Sequence, residues 1–163
     1  MEVIDISVRN LVEFVFRHGD IDNRHVSRDA VFRMQEGSRI HRNIQDAYTD
    51  NYEAEVYLKY VYSAEKYMLQ IDGRADGIIK EGNNYIVEEI KSTYKNTAFI
   101  SQPVDVHIAQ AKCYAYMLAE ARKLSNVGIV ITYCNARNLD VKRFRFNYSY
   151  EEIANWFVEV MRE

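Results

Sequence analysis

Apolar positions along the chain change period from helical to extended and back again. In residues 7 to 17, SVRNLVEFVFR, Val8, Leu11, Val12 and Val15 recur at helical spacing, and Ser7 stands where an N-cap is expected. Residues 18 to 36 show no clear period and are rich in arginine, so they are read as irregular or partly helical. A helix is expected from Ser38 to about Tyr48, with Ile40, Ile44 and Ala47 inward. The segment AEVYLKYVY, 54 to 62, alternates with period two: Val56, Leu58 and Tyr60 share one face, and Tyr57, Lys59 and Val61 the other. A turn near Ser63 to Glu65 leads into a second strand over 66 to 72. Third and fourth strands, 74 to 80 and 85 to 92, are joined by Glu81-Gly82-Asn83-Asn84, where Gly and Asn tolerate positive φ. Residues 104 to 123 read as a long helix with Val104, Ile108, Ala111, Ala115 and Leu118 as its buried stripe, and Pro103 and Asp105 mark its start. Residues 127 to 134, VGIVITYC, are apolar almost throughout, which suits a central strand covered on both faces. A turn at Asn135 to Asn138, a strand at 139 to 146 and a helix at 149 to 162, with Ile153, Trp156, Phe157 and Val160 inward, follow. That order predicts a mixed sheet flanked by helices, an α/β or α+β architecture.

Composition narrows the class. The 163 residues carry no repeat and no low-complexity linker, so a single domain over 1–163 is expected. A formal net charge of -3 does not announce a nucleic-acid binder; any polyanion must be met by local basic patches or by bound cations. Residues 24 to 42 supply one such patch, with Arg24, Arg28, Arg33, Arg39 and Arg42 against Asp29 and Glu36. Lys142, Arg143 and Arg145 form a weaker second one. Two cysteines, Cys113 and Cys134, suit a reducing compartment and argue against both a disulfide scaffold and a cysteine metal cluster. The first residues, MEVIDISVRNLVEF, carry charges inside their apolar run, which is unlike a signal peptide, and no segment is long and apolar enough to span a membrane. The cytoplasm is the expected location.

The chemistry concentrates in IDGRADGIIKEGNNYIVEEIKST, residues 71 to 93. If Glu81 to Asn84 close the hairpin, as a four-residue loop or a two-residue Gly82-Asn83 loop, Asp76 lies directly opposite Glu89. Directly opposed residues have Cα atoms about 4.5 to 5.5 Å apart. Two carboxylates that close repel, and a hard divalent cation between them reverses the sign. Alternation puts Lys91 on the face of Glu89, about 7 Å further along. Glu88 and Glu89 are adjacent, and only one can point toward Asp76; pairing and the Lys91 spacing both select Glu89. Two carboxylates and an ammonium on one face suit phosphodiester hydrolysis, in which a metal polarises the phosphate and activates water and a lysine stabilises developing negative charge.

Gly73-Arg74-Ala75-Asp76 followed by Glu89-Ile90-Lys91-Ser92 resembles the signature of the PD-(D/E)xK nucleases, in particular their RecB-like branch. Gly37-Ser38-Arg39-Ile40-His41 is similar to the branch's Gly-x-x-x-His motif, and Gln110-Ala111-Lys112-Cys113-Tyr114 to its Gln-x-x-x-Tyr motif. The four motifs stand in the family's order over residues 37 to 114. The resemblance implies a restriction-endonuclease-like fold and a Mg²⁺- or Mn²⁺-dependent deoxyribonuclease, an exonuclease by preference, acting in DNA repair, recombination or defence. It implies Asp76, Glu89, the Ile90 carbonyl and His41 as metal ligands, Lys91 beside the reacting water, and Gln110 and Tyr114 lining the site. The basic segment 24 to 42 runs into the helix of His41, and its Arg39 and Arg42 are the candidates for gripping DNA phosphates. Iron–sulfur members of the branch carry four cysteines, which this chain lacks. Related modules are fused to DNA-repair helicases; no Walker-type Gly-x-x-x-x-Gly-Lys motif occurs, so a helicase partner would lie on another chain or a continuation. The family's first active-site acid is not clearly assigned: Glu55 is a weak candidate, and a solvated strand end is its simpler reading. A catalytically silent DNA-binding module of the same fold and an RNA-directed nuclease are the alternatives.

Overall fold

The computed structural model describes residues 2–16 and 28–162, with the backbone alone for 28–36. Their order is β1 (Glu2–Ser7), α1 (Val8–Val15), α2 (Arg28–Asp46), β2 (Tyr52–Ser63), β3 (Tyr67–Glu81), β4 (Asn84–Thr93), a short 3-10 turn (Thr97–Phe99), α3 (Asp105–Arg122), β5 (Asn126–Asn135), β6 (Val141–Ser149) and α4 (Tyr150–Met161). Six strands form one mixed sheet: β1-β3-β4-β5-β6 in order, with β2 paired to β3. Four α-helices flank it, as a restriction-endonuclease-like fold requires. The helix boundaries follow local chemistry. The Ser7 hydroxyl accepts the Asn10 N–H and starts α1. Ser149 and Glu152 form a reciprocal capping box at the start of α4. Residues 28–36, read from sequence as irregular or partly helical, are helical in backbone and extend α2 toward its N-terminus. Among the described residues no helix is long and apolar enough to cross a membrane.

The main core lies between the sheet and α1, α3 and α4, around Val8, Leu11, Ile78, Val87, Met117, Ile131 and Phe157. On the opposite face α2 packs Ile40 and Ile44 on Ile90 and Cys134. Ala47, expected inward, is exposed, because α2 ends at Asp46 and the chain turns there. Gln45 takes the buried position instead. Val104 is exposed as the residue preceding α3 rather than part of its stripe. Helix α3 touches α1 and α4 as well as the sheet. Its burial therefore spreads all round, to Ala109, Cys113, Tyr116 and Ala119. Strand β5 is buried from Val127 onward, as its apolar run requires.

Two strands differ from the sequence reading, and both matter for the site. Residues 66 to 72 and 74 to 80 are one strand, β3, with no break at Gly73. The unforeseen β1 pairs with β3 in parallel, Glu2 with Tyr67 through Ser7 with Asp72. Strand β2 occupies one edge of β3 from Ser63 opposite Met68 to Tyr52 opposite Ile79. The other edge is divided: β1 covers it up to Asp72, and β4 pairs from Gly77 opposite Glu88 to Glu81 opposite Asn84. The hairpin closes through the two-residue Gly82-Asn83 turn, with Gly82 alone at positive φ. Between β1 and β4, residues 73–76 pair with no strand on this edge among the described residues. Asp76 lies in that seam.

Candidate active site

The β3–β4 ladder stops at Gly77 and Glu88, one step before Asp76. There Asp76 replaces the ladder with its side chain, and its Oδ2 accepts the Ile90 N–H at 2.7 Å. Its Oδ1 lies 3.5 Å from His41 Nδ1 on α2. Alternation along β4 sends Glu88 and Glu89 to opposite faces. Glu89 Oε1 sits 3.4 Å from Lys91 Nζ, and Lys91 Nζ donates to Gln110 Oε1 on α3 at 3.1 Å. Glu89 Oε2 is buried and accepts no hydrogen bond, while the Asp76 carboxyl lies within hydrogen-bonding reach of Glu89. Burial raises the Glu89 pKa well above the ordinary carboxyl range; the Asp76 charge adds to this and Lys91 opposes it. Burial likewise raises Asp76, against His41, the Ile90 N–H and Lys91.

Tyr114 explains Gly73. A Cβ at Gly73 would meet the Tyr114 hydroxyl and ring, so glycine there lets α3 lay Tyr114 onto β3. Tyr114 is buried, and its hydroxyl pKa is raised by that burial and by Glu89 and Asp76. Gly37 on α2 faces the Ser92 hydroxyl across a Cβ-sized gap. The four motifs therefore meet at one seam: Gly73 and Asp76 from β3, Glu89 and Lys91 from β4, His41 from α2, Gln110 and Tyr114 from α3.

Glu55 lies close to two of them, His41 and Asp76. Its neighbours pair regularly with β3, Ala54 with Gly77 and Val56 with Ala75, while Glu55 itself adopts φ 53 opposite Asp76. Left-handed backbone is uncommon for a non-glycine residue and gathers at functional sites. His41, Glu55 and Asp76 each place one ligand atom within 4.8 Å of the others. The buried Gln45 amide donates to Glu55 Oε1 at 3.1 Å and to the Asp76 carbonyl at 2.8 Å, so one side chain fixes both acids. The register of β2 on β3, continued from Ser63 opposite Met68 through Ala54 opposite Gly77 and Val56 opposite Ala75, places Glu55 across from Asp76. One oxygen each from Glu55 and Asp76 and one imidazole nitrogen from His41 form a donor set that a hard divalent cation accepts, and Glu89 lies outside this grouping.

Glu88, on the other face, is fully buried and accepts from Tyr48, Tyr52 and Thr132 at 2.8, 2.7 and 2.6 Å. Arg143 approaches it at 3.9 Å. Arg145 pairs with Glu81 at 2.7 Å, so this strand's basic residues are partly committed to acids. Arg39 and Arg42 are exposed on α2, the helix that carries His41. Arg24 lies outside the described residues, and the side chains of Arg28 and Arg33 do too.

Two solved structures share this architecture. A protein known as SSO0001 is 18% identical with a TM-score of 0.60, over 99% of this chain and 77% of that one. The alkaline exonuclease LHK-Exo from Laribacter hongkongensis is 13% identical with a TM-score of 0.50, over 97% of this chain and 88% of that one. The fold is one that an alkaline exonuclease uses. No protein-family profile and no curated protein sequence matches the chain. At these identities the likeness establishes the fold, and the seam on β3 and β4 is where this chain places its acids.

Proposed function

We propose that the protein is a metal-dependent deoxyribonuclease, a phosphodiester hydrolase working from DNA ends. The observation that carries this reading is the buried pair of acids, Glu89 and Asp76, facing each other beside Lys91, with Glu89 Oε2 accepting no hydrogen bond. A buried polar atom without a partner is costly and calls for a missing group. Asp76, Glu89 and His41, with Glu55, would hold Mg²⁺ or Mn²⁺; the family resemblance adds the Ile90 carbonyl. When bound, such an ion polarises a phosphoryl oxygen and makes water at the site more acidic. Lys91, fixed between Glu89 and Gln110, holds a positive charge where negative charge develops on phosphorus. Tyr114 walls the site over Gly73, and Arg39 and Arg42 grip flanking phosphates. The exonuclease neighbour supports action from ends, and the motif set supports the RecB-like branch, with a role in DNA repair, recombination or defence. A helicase on another chain is the partner this suggests.

The test is degradation of end-labelled linear and closed circular DNA, single- and double-stranded, with Mg²⁺, Mn²⁺ or EDTA, and with Asp76→Ala in parallel. Loss of linear DNA alone, needing metal and Asp76, is the expected result. Loss of circles as well makes the enzyme an endonuclease. No cleavage of any DNA removes the deoxyribonuclease reading in favour of a silent binding module.

A further inference from the structure

Next along β4 from Lys91, at Ser92 and Thr93, lies a cavity of about 290 Å³. Two of its lining residues neighbour residues of the site. Lys91 lies beside Tyr133 in the β4–β5 register, and His107 precedes Gln110 by one helical turn on α3. Tyr133 and His107 both line the cavity, with Thr93, Lys95, Phe99 and Ser101 among the rest, and the lining contains no acidic residue. The Tyr133 hydroxyl accepts the Val104 N–H at 2.9 Å and lies 2.8 Å from His107 Nδ1. One hydrogen bond joins the Tyr133 hydroxyl and His107 Nδ1, and the imidazole tautomer sets which of the two donates. Burial, and then Lys91, push His107 down to about 4, so the ring is neutral at pH 7. Phe99 stands at the rim, 83% exposed.

These features describe one ligand class. The cavity lies just under the roughly 300–1,000 Å³ of pockets that hold drug-sized ligands, so it takes one small flat group and no base pair. An exposed phenylalanine serves no packing purpose in the fold, yet every base offers a π-face to stack on it. A neutral imidazole and hydroxyls offer hydrogen-bonding groups to base edges, and Lys95 meets a phosphate with no acid in the lining. We propose that this cavity receives one unpaired nucleobase of the strand being cut, stacked on Phe99 and adjoining the scissile phosphate. The proposal rests on the nuclease reading and makes an unpaired or frayed terminus the preferred substrate.

The experiment places 2-aminopurine at successive positions from the end of a single-stranded oligonucleotide and titrates it with the full chain in Ca²⁺, reading fluorescence. A parallel series replaces each nucleotide by an abasic one and reads cleavage in Mg²⁺ or Mn²⁺. The expected result is quenching at one position only. An abasic nucleotide there should raise KM about ten-fold. Phe99→Ala should abolish both position effects, and Phe99→Trp should restore them. Phe99 is exposed, so neither variant challenges folding. Cleavage or binding with no position dependence, or with one that Phe99→Ala leaves intact, overturns the pocket and spares the nuclease. A chain that neither binds nor cuts DNA overturns both.

Discussion

Burial strips Glu89 of water while Asp76 stands beside it, and both carboxyls are held above their ordinary range. The consequence for stability has a definite sign. With folded-state values raised, the metal-free native protein binds more protons than the unfolded chain. Its stability therefore falls as pH rises from about 4 through those raised values. Removing the charge should relieve this. Glu89→Gln is expected to raise the melting temperature in EDTA at pH 8 by a few degrees, from roughly 1–3 kcal/mol of buried, unpartnered polarity at about 2–4 °C per kcal/mol. Added Mn²⁺ should then raise the melting temperature of the wild type and not of the variant. Thermal unfolding in EDTA and Mn²⁺ across pH 5 to 8 reads all of this, and a wild type indifferent to both pH and Mn²⁺ would remove these acids as a metal site. Lys91 makes a different kind of contribution. Lys91→Ala should lower cleavage about 10²–10³-fold while DNA affinity in Ca²⁺ stays nearly unchanged; a fully active variant sinks its assignment.

At the scale of elements, the site depends on how α2 and β2 are fastened to the sheet. Tyr48, just beyond α2, and Tyr52, at the start of β2, stack with ring centroids 4.1 Å apart and both donate to Glu88. Tyr52 reaches Glu88 by crossing Gly77, where a Cβ would collide with the phenol. Gly77→Ala should therefore expel Tyr52 and cost about 1–3 kcal/mol by overpacking, seen as a lower urea midpoint with an unchanged slope. Tyr52→Phe, which keeps the ring and loses the donor, should cost less. If Gly77→Ala matches the wild type, the close approach of Tyr52 is not what holds these elements together.

The molecule as a whole carries a formal charge of -3, so long-range attraction to DNA is not available and local cations must supply it. Arg39 and Arg42 are exposed on the helix that brings His41 to the site. Arg39→Ala or Arg42→Ala should weaken DNA binding and lower the slope of log affinity against log salt by about 0.9 for each phosphate no longer neutralised. A titration from low to high salt with an unchanged slope would take these residues out of the interface.

Local pattern was enough for most of the architecture. Helix α1 with its Ser7 cap, the alternation of β2, the buried run of β5 and the Gly82-Asn83 turn are each set by residues a few positions apart. Because a two-residue turn fixes register, the nearness of Asp76 to Glu89 and the opposite facing of Glu88 were legible too, although the ladder ends at Gly77 and Glu88 and the expected direct pairing of Asp76 with Glu89 is replaced by the Asp76 side chain. Other features depend on partners far away in sequence. Gly73, read as a break between two strands, lies inside β3 and leaves room there for Tyr114 of α3, a partner that no local pattern contains. Strand β1 exists because half an edge of β3 is free to pair with it. Glu55 joins Asp76 and His41 only once β2 lies along β3 and α2 packs across the sheet. The acids were therefore set by sequence and register, while their burial, the orphaned oxygen of Glu89 and the company of Glu55 were decided by packing. Desolvation and long-range register are properties of the assembled sheet and its helices, and no local window of the chain contains them.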